Sequence, residues 1–343
     1  MDVRVSLLST LSRALAPSGF EDRVRNLIAD ELTSMGYEPN VDRLGNLYVT
    51  LGEKRPLMVV AAHMDEVGFV VRYVEDSGFL RLTALGGVNA SVAQGHEVVV
   101  LGGKGEVEGI IGSTPPHLQT GVQQKEVTVD DLFVDVCASS REEVLSRGVT
   151  IGSPVCFAPR FVDWGDCVAG KALDDRVGCY VLLEALREGV NPSVGTVVAA
   201  FTVQEETGLR GALALAHKFD PDYAVALEGT IANDVPGTPP DRVVTRMGLG
   251  PALRVMDRTI VASVELLNHL KSLAENAGVP YQLQISPYSG TDAGGFTHHG
   301  AASTAVSVPV RYIHSPVSVA KKSDIEHAVA IVKMLVENPW PRR

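Results

Sequence analysis

The sequence predicts an α/β protein, a mainly parallel sheet sandwiched by helices and interrupted by a small inserted all-β barrel. Three observations carry this reading. Continuous apolar runs, LMVVAA (57–62), TVVAAFTV (196–203), YAVAL (223–227) and TAVSVPV (304–310), have the length and texture of strands buried on both faces. Segments of helical periodicity alternate with them from about residue 176 onward, the order from which parallel sheets are built. From about 68 to 160 the texture changes, and short runs (FVVRYV, FLRLTAL, HEVVVLG, EVEGIIG, VCFA) follow one another across Gly, Pro and Ser turns. The expected division is residues 1–67 and 161–343 as one α/β domain, with 68–160 inserted.

Taken in order, Leu7, Leu8, Leu11 and Leu15 recur at helical spacing. Ser18-Gly19-Phe20-Glu21 breaks that pattern and opens a second helix through Val24, Leu27, Ile28 and Leu32. A turn at Arg43-Leu44-Gly45-Asn46 joins two extended runs as a hairpin and leads into LMVVAA. Within the insertion the one helical stretch is Ser140–Leu145. Beyond it, helices are expected at Arg176–Glu188, Leu209–His217, Thr259–Ala277 and Ser323–Val336, with YQLQIS (281–286) as a further strand.

At 343 residues and 45% apolar composition the chain can bury a substantial core. Its net charge of −11, with no Lys/Arg cluster, excludes the phosphate-neutralising surface that nucleic acid requires. Cys137, Cys156, Cys167 and Cys179 lack CxxC or zinc-finger spacing, so reduced, mostly buried thiols are expected. The N-terminal segment reads as an amphipathic helix and not as a signal peptide. No apolar run approaches the ~18 residues of a membrane span. These features point to a cytoplasmic protein that binds neither membrane nor nucleic acid.

Chemistry concentrates at the ends of the apolar runs. His63 and Asp65 follow LMVVAA, Glu205-Glu206 follow TVVAAFTVQ, Glu228 follows YAVAL, and His314 follows TAVSVPVRYI. An unpaired charge at such a place costs several kcal/mol or neutralises itself. A cation shared by these side chains removes the penalty, and the carboxyl ends of strands are where open α/β sheets bind ligands. His63 and Asp65 lie on the same side of an extended chain, an imidazole with a carboxylate to orient it. Of Asp174-Asp175, one acid suffices to cap the following helix. Asp174 is therefore assigned as a bridge between two cations, and Asp175 as structural, beside Arg176. Glu205 and Glu206 point in opposite directions, so one can ligate while the other faces a water. The oxygen and nitrogen donor set favours Zn²⁺, Co²⁺ or Mn²⁺, and two such ions activate water for hydrolysis of an amide or ester. The remaining histidines (His96, His117, His217, His269, His298, His299, His327) have no such company and read mostly as surface or core residues; a cleft position for His117, in STPPHL, is the weaker reading.

The motifs AHMDEVGF (62–69), GKALDDRVG (170–178), QEETGLRGA (204–212), LEGTIANDVPGTP (227–239), SGTDAGG (289–295) and RYIHSP (311–316) together resemble the tetrahedral (TET-type) aminopeptidase family, with its glutamyl and deblocking aminopeptidases. The resemblance runs nearly end to end. It implies a zinc-peptidase-like fold and two divalent metal ions per subunit, Zn²⁺ or Co²⁺ with Mn²⁺ as a further candidate. One would take His63, Asp174 and Glu228, the other Asp174, Glu206 and His314. It further implies Glu205 as general base, Asp65 as orienting residue, and peptides with a free N-terminus as substrates. Dimers formed through the inserted domain would assemble further into a dodecamer. Two departures stand out: Glu228 occupies a position where relatives frequently have Asp, and Asp241 and Arg242 follow PGTP where some have a cleft His. Asp292, in SGTDAGG, becomes a candidate for the substrate's N-terminal side, and Met247–Pro251 with Tyr288 suggest a neutral lining. A carboxypeptidase or an N-acyl amino acid deacylase could use the same site. A polysaccharide hydrolase leaves the two strand-tip histidines without a task.

Overall fold

The computed structural model describes residues 2–113 and 127–340. Two helices open the chain, α1 (Val5–Arg13) and α2 (Asp22–Ser34), burying Leu8, Leu11, Val24, Ile28 and Leu32. A hairpin follows, β1 (Asn40–Val41) and β2 (Leu47–Leu51). Its turn is held by Asp42 Oδ1, which accepts from the N–H groups of Leu44, Gly45 and Asn46. Next comes β3 (Leu57–His63).

The inserted part contains β4 (Gly68–Val74), β5 (Leu80–Leu85), α3 (Ala90–Ala93), β6 (Glu97–Gly102), β7 (Gly105–Gly112), β8 (Phe133–Asp135), α4 (Arg141–Ser146) and β9 (Pro154–Phe157). Its strands close a barrel in the order β4-β5-β8-β7-β6-β9. Phe69, Val71, Leu82, Val98, Val100, Val134 and Phe157 fill it, a core separate from the rest of the molecule. Closure removes the exposed edges that a small sheet would otherwise present.

The chain then re-enters the larger layer with β10 (Phe161–Asp163), β11 (Cys167–Gly170), α5 (Leu173–Leu186), β12 (Thr196–Thr202), α6 (Arg210–Phe219), β13 (Tyr223–Ile231) and β14 (Ala252–Asp257). It finishes with α7 (Val264–Ala277), β15 (Gln282–Ser286), α8 (Asp292–Thr297), β16 (Ala302–Arg311), β17 (Ser318–Lys321) and α9 (Lys322–Glu337). The sheet has 11 strands in the order β1-β2-β12-β3-β13-β16-β17-β11-β10, with β14 and β15 branching from β16. Its centre, β12-β3-β13-β16, is parallel. Alternate residues of β3 serve opposite layers. Met58, Val60 and Ala62 join the core containing α5 and α9, whereas Val59 and Ala61 pack with Leu215 of α6 and Phe296 of α8. This two-sided burial makes the run continuously apolar, and each larger aliphatic side chain contributes about 1.5–3 kcal/mol. The α/β sheet with a barrel is the fold class expected from the sequence.

Local expectations differ in two places. The helix expected from Thr259 begins at Val264, where the Ser263 side chain accepts from the Leu266 N–H. Residues before it form a turn, because Asp257 Oδ1 takes the N–H groups of both Thr259 and Ile260. SGTDAGG, expected as a loop, contains the short helix α8. Its glycines serve close approach, since a Cβ at Gly294 would sit 2.5 Å from Thr259 Cβ and one at Gly295 would sit 2.8 Å from Ala212 Cβ.

Candidate metal centre and active-site cleft

The strand register gathers the polar residues at one edge of the sheet. Thr202 of β12 lies opposite His63 at the end of β3. Leu227 of β13 lies opposite Ala62, which puts Glu228 level with His63. The chain leaves β16 through Tyr312 and His314, both left-handed (φ 61° and 57°). Asp174 and Asp175 enter at the start of α5, both with non-helical backbone and joined by a cis peptide.

His63 Nε2 is 3.4 Å from Asp174 Oδ1 and 3.6 Å from Glu228 Oε2. His314 Nε2 is 3.4 Å from Asp174 Oδ2 and 3.3 Å from Glu206 Oε1. Nitrogen and oxygen ligands about 2.0–2.2 Å from a tetrahedral cation stand roughly 3.3–3.5 Å from each other, so these separations fit one. Asp174 Oδ1 and Glu228 Oε1 are buried and accept no hydrogen bond from the described residues, a state that native proteins rarely tolerate without an ion or water. The triplets His63–Asp174–Glu228 and Asp174–Glu206–His314 each bring one donor atom per residue within 4.8 Å of the others, as does His63–Glu205–Glu206. The donors available are therefore sufficient for a divalent cation.

Electrostatics among the protein groups agree with a site built for positive charge. Burial pulls the His63 ring down, but Asp174, Asp65 and Glu228 outweigh it and leave the ring well above its ordinary value. His314 is pushed up to about 11, burial again being outweighed by Asp174 and Glu206. Glu205 is raised well above the carboxylate range by burial and by Glu228, Glu206 and Asp292, against the opposing pull of His63. All these carboxylates compete for little positive charge.

A cleft of about 730 Å³ opens over this edge. His63, Asp174, Glu205, Glu206, Glu228 and His314 line its floor, and Leu209, Ile231, Arg254, Arg258, Tyr288 and Ile313 stand among its walls. The expected lining by Met247–Pro251 is not found; the N–H groups of Gly248 and Gly250 bind Asp324 instead. Asp292 is likewise absent from the cleft wall. It is only 1% exposed and accepts a hydrogen bond from the Thr202 hydroxyl beneath the floor, because α8 buries its first turn against the sheet. His117 lies outside the described residues. His96, His217, His269, His298, His299 and His327 do not line the cleft.

Asp65 reaches both the His63 ring and the segment that follows β12. Its Oδ1 is 3.5 Å from His63 Nδ1, while Glu205 N–H donates to Oδ1 at 3.0 Å and Glu206 N–H to Oδ2 at 3.1 Å. Asp175 does not pair with Arg176. It accepts from the backbone N–H groups of His63 (3.1 Å) and Gly178 (3.0 Å), tying strand to helix. Ser18 and Glu21, read from the sequence only as a helix break, reach this site from the α1–α2 turn; a polar residue in a turn carries no sequence signal for such a remote contact.

The burial of Asp292 gives a test. Burial, then the nearby Glu228, push its carboxyl up to about 7 from 3.8. Between those values the folded chain holds a proton that the unfolded chain has released, so stability falls as pH rises from about 4 through 7. Asp292→Asn should remove that slope, and at pH 8 it should be the more stable protein by on the order of 2–4 kcal/mol. Urea unfolding in chelator at pH 5 and pH 8 measures the difference; identical slopes in both proteins would contradict it.

Comparison with known proteins gives the family. A family model described as M42 glutamyl aminopeptidase matches residues 45–331. The lysyl aminopeptidase of Pyrococcus furiosus is 33% identical over 98% of this chain and 97% of its own length. A TET aminopeptidase from a marine sediment archaeon, Thaumarchaeota archaeon SCGC AB-539-E09, superposes with a TM-score of 0.92 at 39% identity, covering 97% of this chain and 95% of that one. The TET1 peptidase of Pyrococcus horikoshii, described as able to assemble into a tetrahedron or a large octahedral shell, gives 0.86 at 33% identity, with 97% and 98% covered. With its fold and most of its length shared in this way, the chain belongs to the M42 glutamyl aminopeptidase family and is a peptide hydrolase.

Proposed function

We propose that the protein is a dinuclear metal-dependent aminopeptidase acting on peptides with a free N-terminus. One divalent ion would be held by His63, Asp174 and Glu228, and the other by Asp174, Glu206 and His314. The observation that carries this is Asp174, which turns one oxygen to His63 and the other to His314. Bound there, the ions supply Lewis acidity and an activated water. Glu205 takes the proton of the attacking water and returns it to the leaving amine. Its carboxylate lines the cleft beside His63 and Glu206, within reach of a water held there. Asp65 holds the backbone of Glu205 and Glu206. Zn²⁺, Co²⁺ and Mn²⁺ all suit an oxygen and nitrogen donor set.

Exhaustive chelation should abolish hydrolysis of aminoacyl-anilides, and Zn²⁺, Co²⁺ or Mn²⁺ should restore it. Activity that persists after chelation would sink this reading. Including an N-acetylated peptide separates it from a carboxypeptidase or deacylase, since an aminopeptidase requires the free amine.

The assembly described for the P. horikoshii TET1 peptidase supports a homo-oligomer; in this reading dimers joined through the inserted barrel assemble further into a dodecamer. The four cysteines, Cys137, Cys156, Cys167 and Cys179, are unpaired, which supports the reducing cytoplasm as its compartment. Among the described residues no helix is long and apolar enough to cross a membrane.

A further inference from the structure

We propose that Ser18 and Glu21, on the turn between α1 and α2, are positioning residues for Glu205. They act through Asp65 and through the backbone of residues 204–206, and the inference rests on the reading of Glu205 as general base. Three successive N–H groups leaving β12 are all taken by carboxylates. Gln204 N–H donates to Glu21 Oε1 at 3.1 Å, Glu205 N–H to Asp65 Oδ1 at 3.0 Å, and Glu206 N–H to Asp65 Oδ2 at 3.1 Å. Gln204 is left-handed (φ 56°), a conformation disfavoured for a residue with a Cβ. These bonds hold the N–H side of the segment, while its carbonyls at Gln204 and Glu205 accept from Gly208, Leu209 and Arg210 in the following turn.

The two carboxylates are themselves fixed by the remote turn. The Ser18 hydroxyl donates to Asp65 Oδ2. Ser18 N–H donates to Glu66 O at 3.3 Å, and Glu66 N–H donates to Ala16 O at 3.1 Å, so the turn is stitched to the residue following Asp65. Glu21 Oε1 also accepts the Gly19 N–H at 2.7 Å. Ser18 and Glu21 are each 4% exposed, and neither lines the cleft. A group that touches no substrate yet fixes the backbone of the base acts on turnover and not on binding. Displacing a catalytic group by about 1 Å can cost on the order of a hundredfold in rate.

If these contacts merely fastened the N-terminal helices to the sheet, their loss would lower stability and leave the folded enzyme's rate intact. The deciding experiment uses the full chain as Ser18→Ala, Ser18→Thr and Glu21→Ala, each loaded with Co²⁺ or Zn²⁺. It reads kcat and KM on an aminoacyl-anilide, bound metal by elemental analysis, and amide exchange across residues 204–206. Ser18→Ala and Glu21→Ala should lower kcat by about tenfold or more, with KM within about twofold. They should retain wild-type metal content and exchange the 204–206 amides faster, and Ser18→Thr should recover most of the rate. Should Ser18→Ala fail to fold, Glu21→Ala decides alone. Wild-type kcat in a folded variant, or a lost rate accompanied by lost metal, would overturn the positioning role while leaving the proposed function intact. A wild-type enzyme with no chelator-sensitive peptidase activity would overturn both.

Discussion

Glu205→Gln is expected to keep its metal content and lose kcat by a factor of about 10²–10⁴, the usual contribution of a positioned general base. Glu206→Gln is expected to lose a cation. The two acids are adjacent and share one clamp, for the same Asp65 carboxylate binds both of their N–H groups. What separates them is where their carboxylates go. Glu206 Oε1 stands 3.3 Å from His314 Nε2, within the donor triplet that also contains Asp174. Glu205 does not belong to either triplet built on Asp174. An amide at Glu205 keeps the shape and removes the proton acceptor, so binding survives and proton transfer does not. An amide at Glu206 removes a negative charge from the one donor set that has a solvent-accessible ring, His314. Elemental analysis and kcat measured on the same preparations check both outcomes. A Glu205→Gln protein depleted of metal, or a Glu206→Gln protein fully loaded and inactive, would exchange the two assignments.

The floor of the site was legible because the rules governing it are short-range. Strands buried on both faces read as apolar runs, and several acids and imidazoles ending such runs together make His63, Glu228 and His314 candidates; all three line the cleft. Parallel pairing in register then brings those ends together. The doubled acids at Asp174-Asp175 separated into two environments as capping arguments suggest, although Asp175 proved to bind backbone N–H groups and not Arg176. What the sequence hid depends on long-range packing. The left-handed backbone at Gln204 lets Asp65 and Glu21 collect three successive N–H groups, and no local pattern announces it. β14 went unread because Arg254 interrupts its apolar pattern; the guanidinium is buried by pairing with Asp257 at 3.0 Å. Two glycines shortly after Asp292 read as a loop, whereas here they allow α8 to press against α6 and Thr259, which takes Asp292 out of the cleft wall.

The largest expected loss of stability comes from Glu66, one residue beyond Asp65. Its carboxylate receives Lys171 Nζ on both oxygens at 2.6 Å, together with Arg176 Nη2 at 3.4 Å and the Ala16 N–H at 2.9 Å. All three charged side chains are buried. Burial, first among the influences, pulls the Lys171 ammonium below its ordinary value despite the carboxylate beside it. Arg176 also donates to the carbonyls of Met64 and Leu11, so the cluster ties α1, the end of β3 and the start of α5 into one unit. Glu66→Gln keeps the volume and leaves two buried cations without a counter-charge. Breaking a buried pair in this way typically costs about 3–5 kcal/mol, more than the pair's net worth, because the survivor's desolvation is no longer offset. Adding Lys171→Met should therefore recover a substantial part of the loss by removing one orphaned cation, even though it deletes a further set of hydrogen bonds. Urea unfolding of the two single variants and the double variant closes the cycle. If the two changes instead added, the destabilisation would come from lost packing and hydrogen bonds, and the charge balance would not be what holds this junction together.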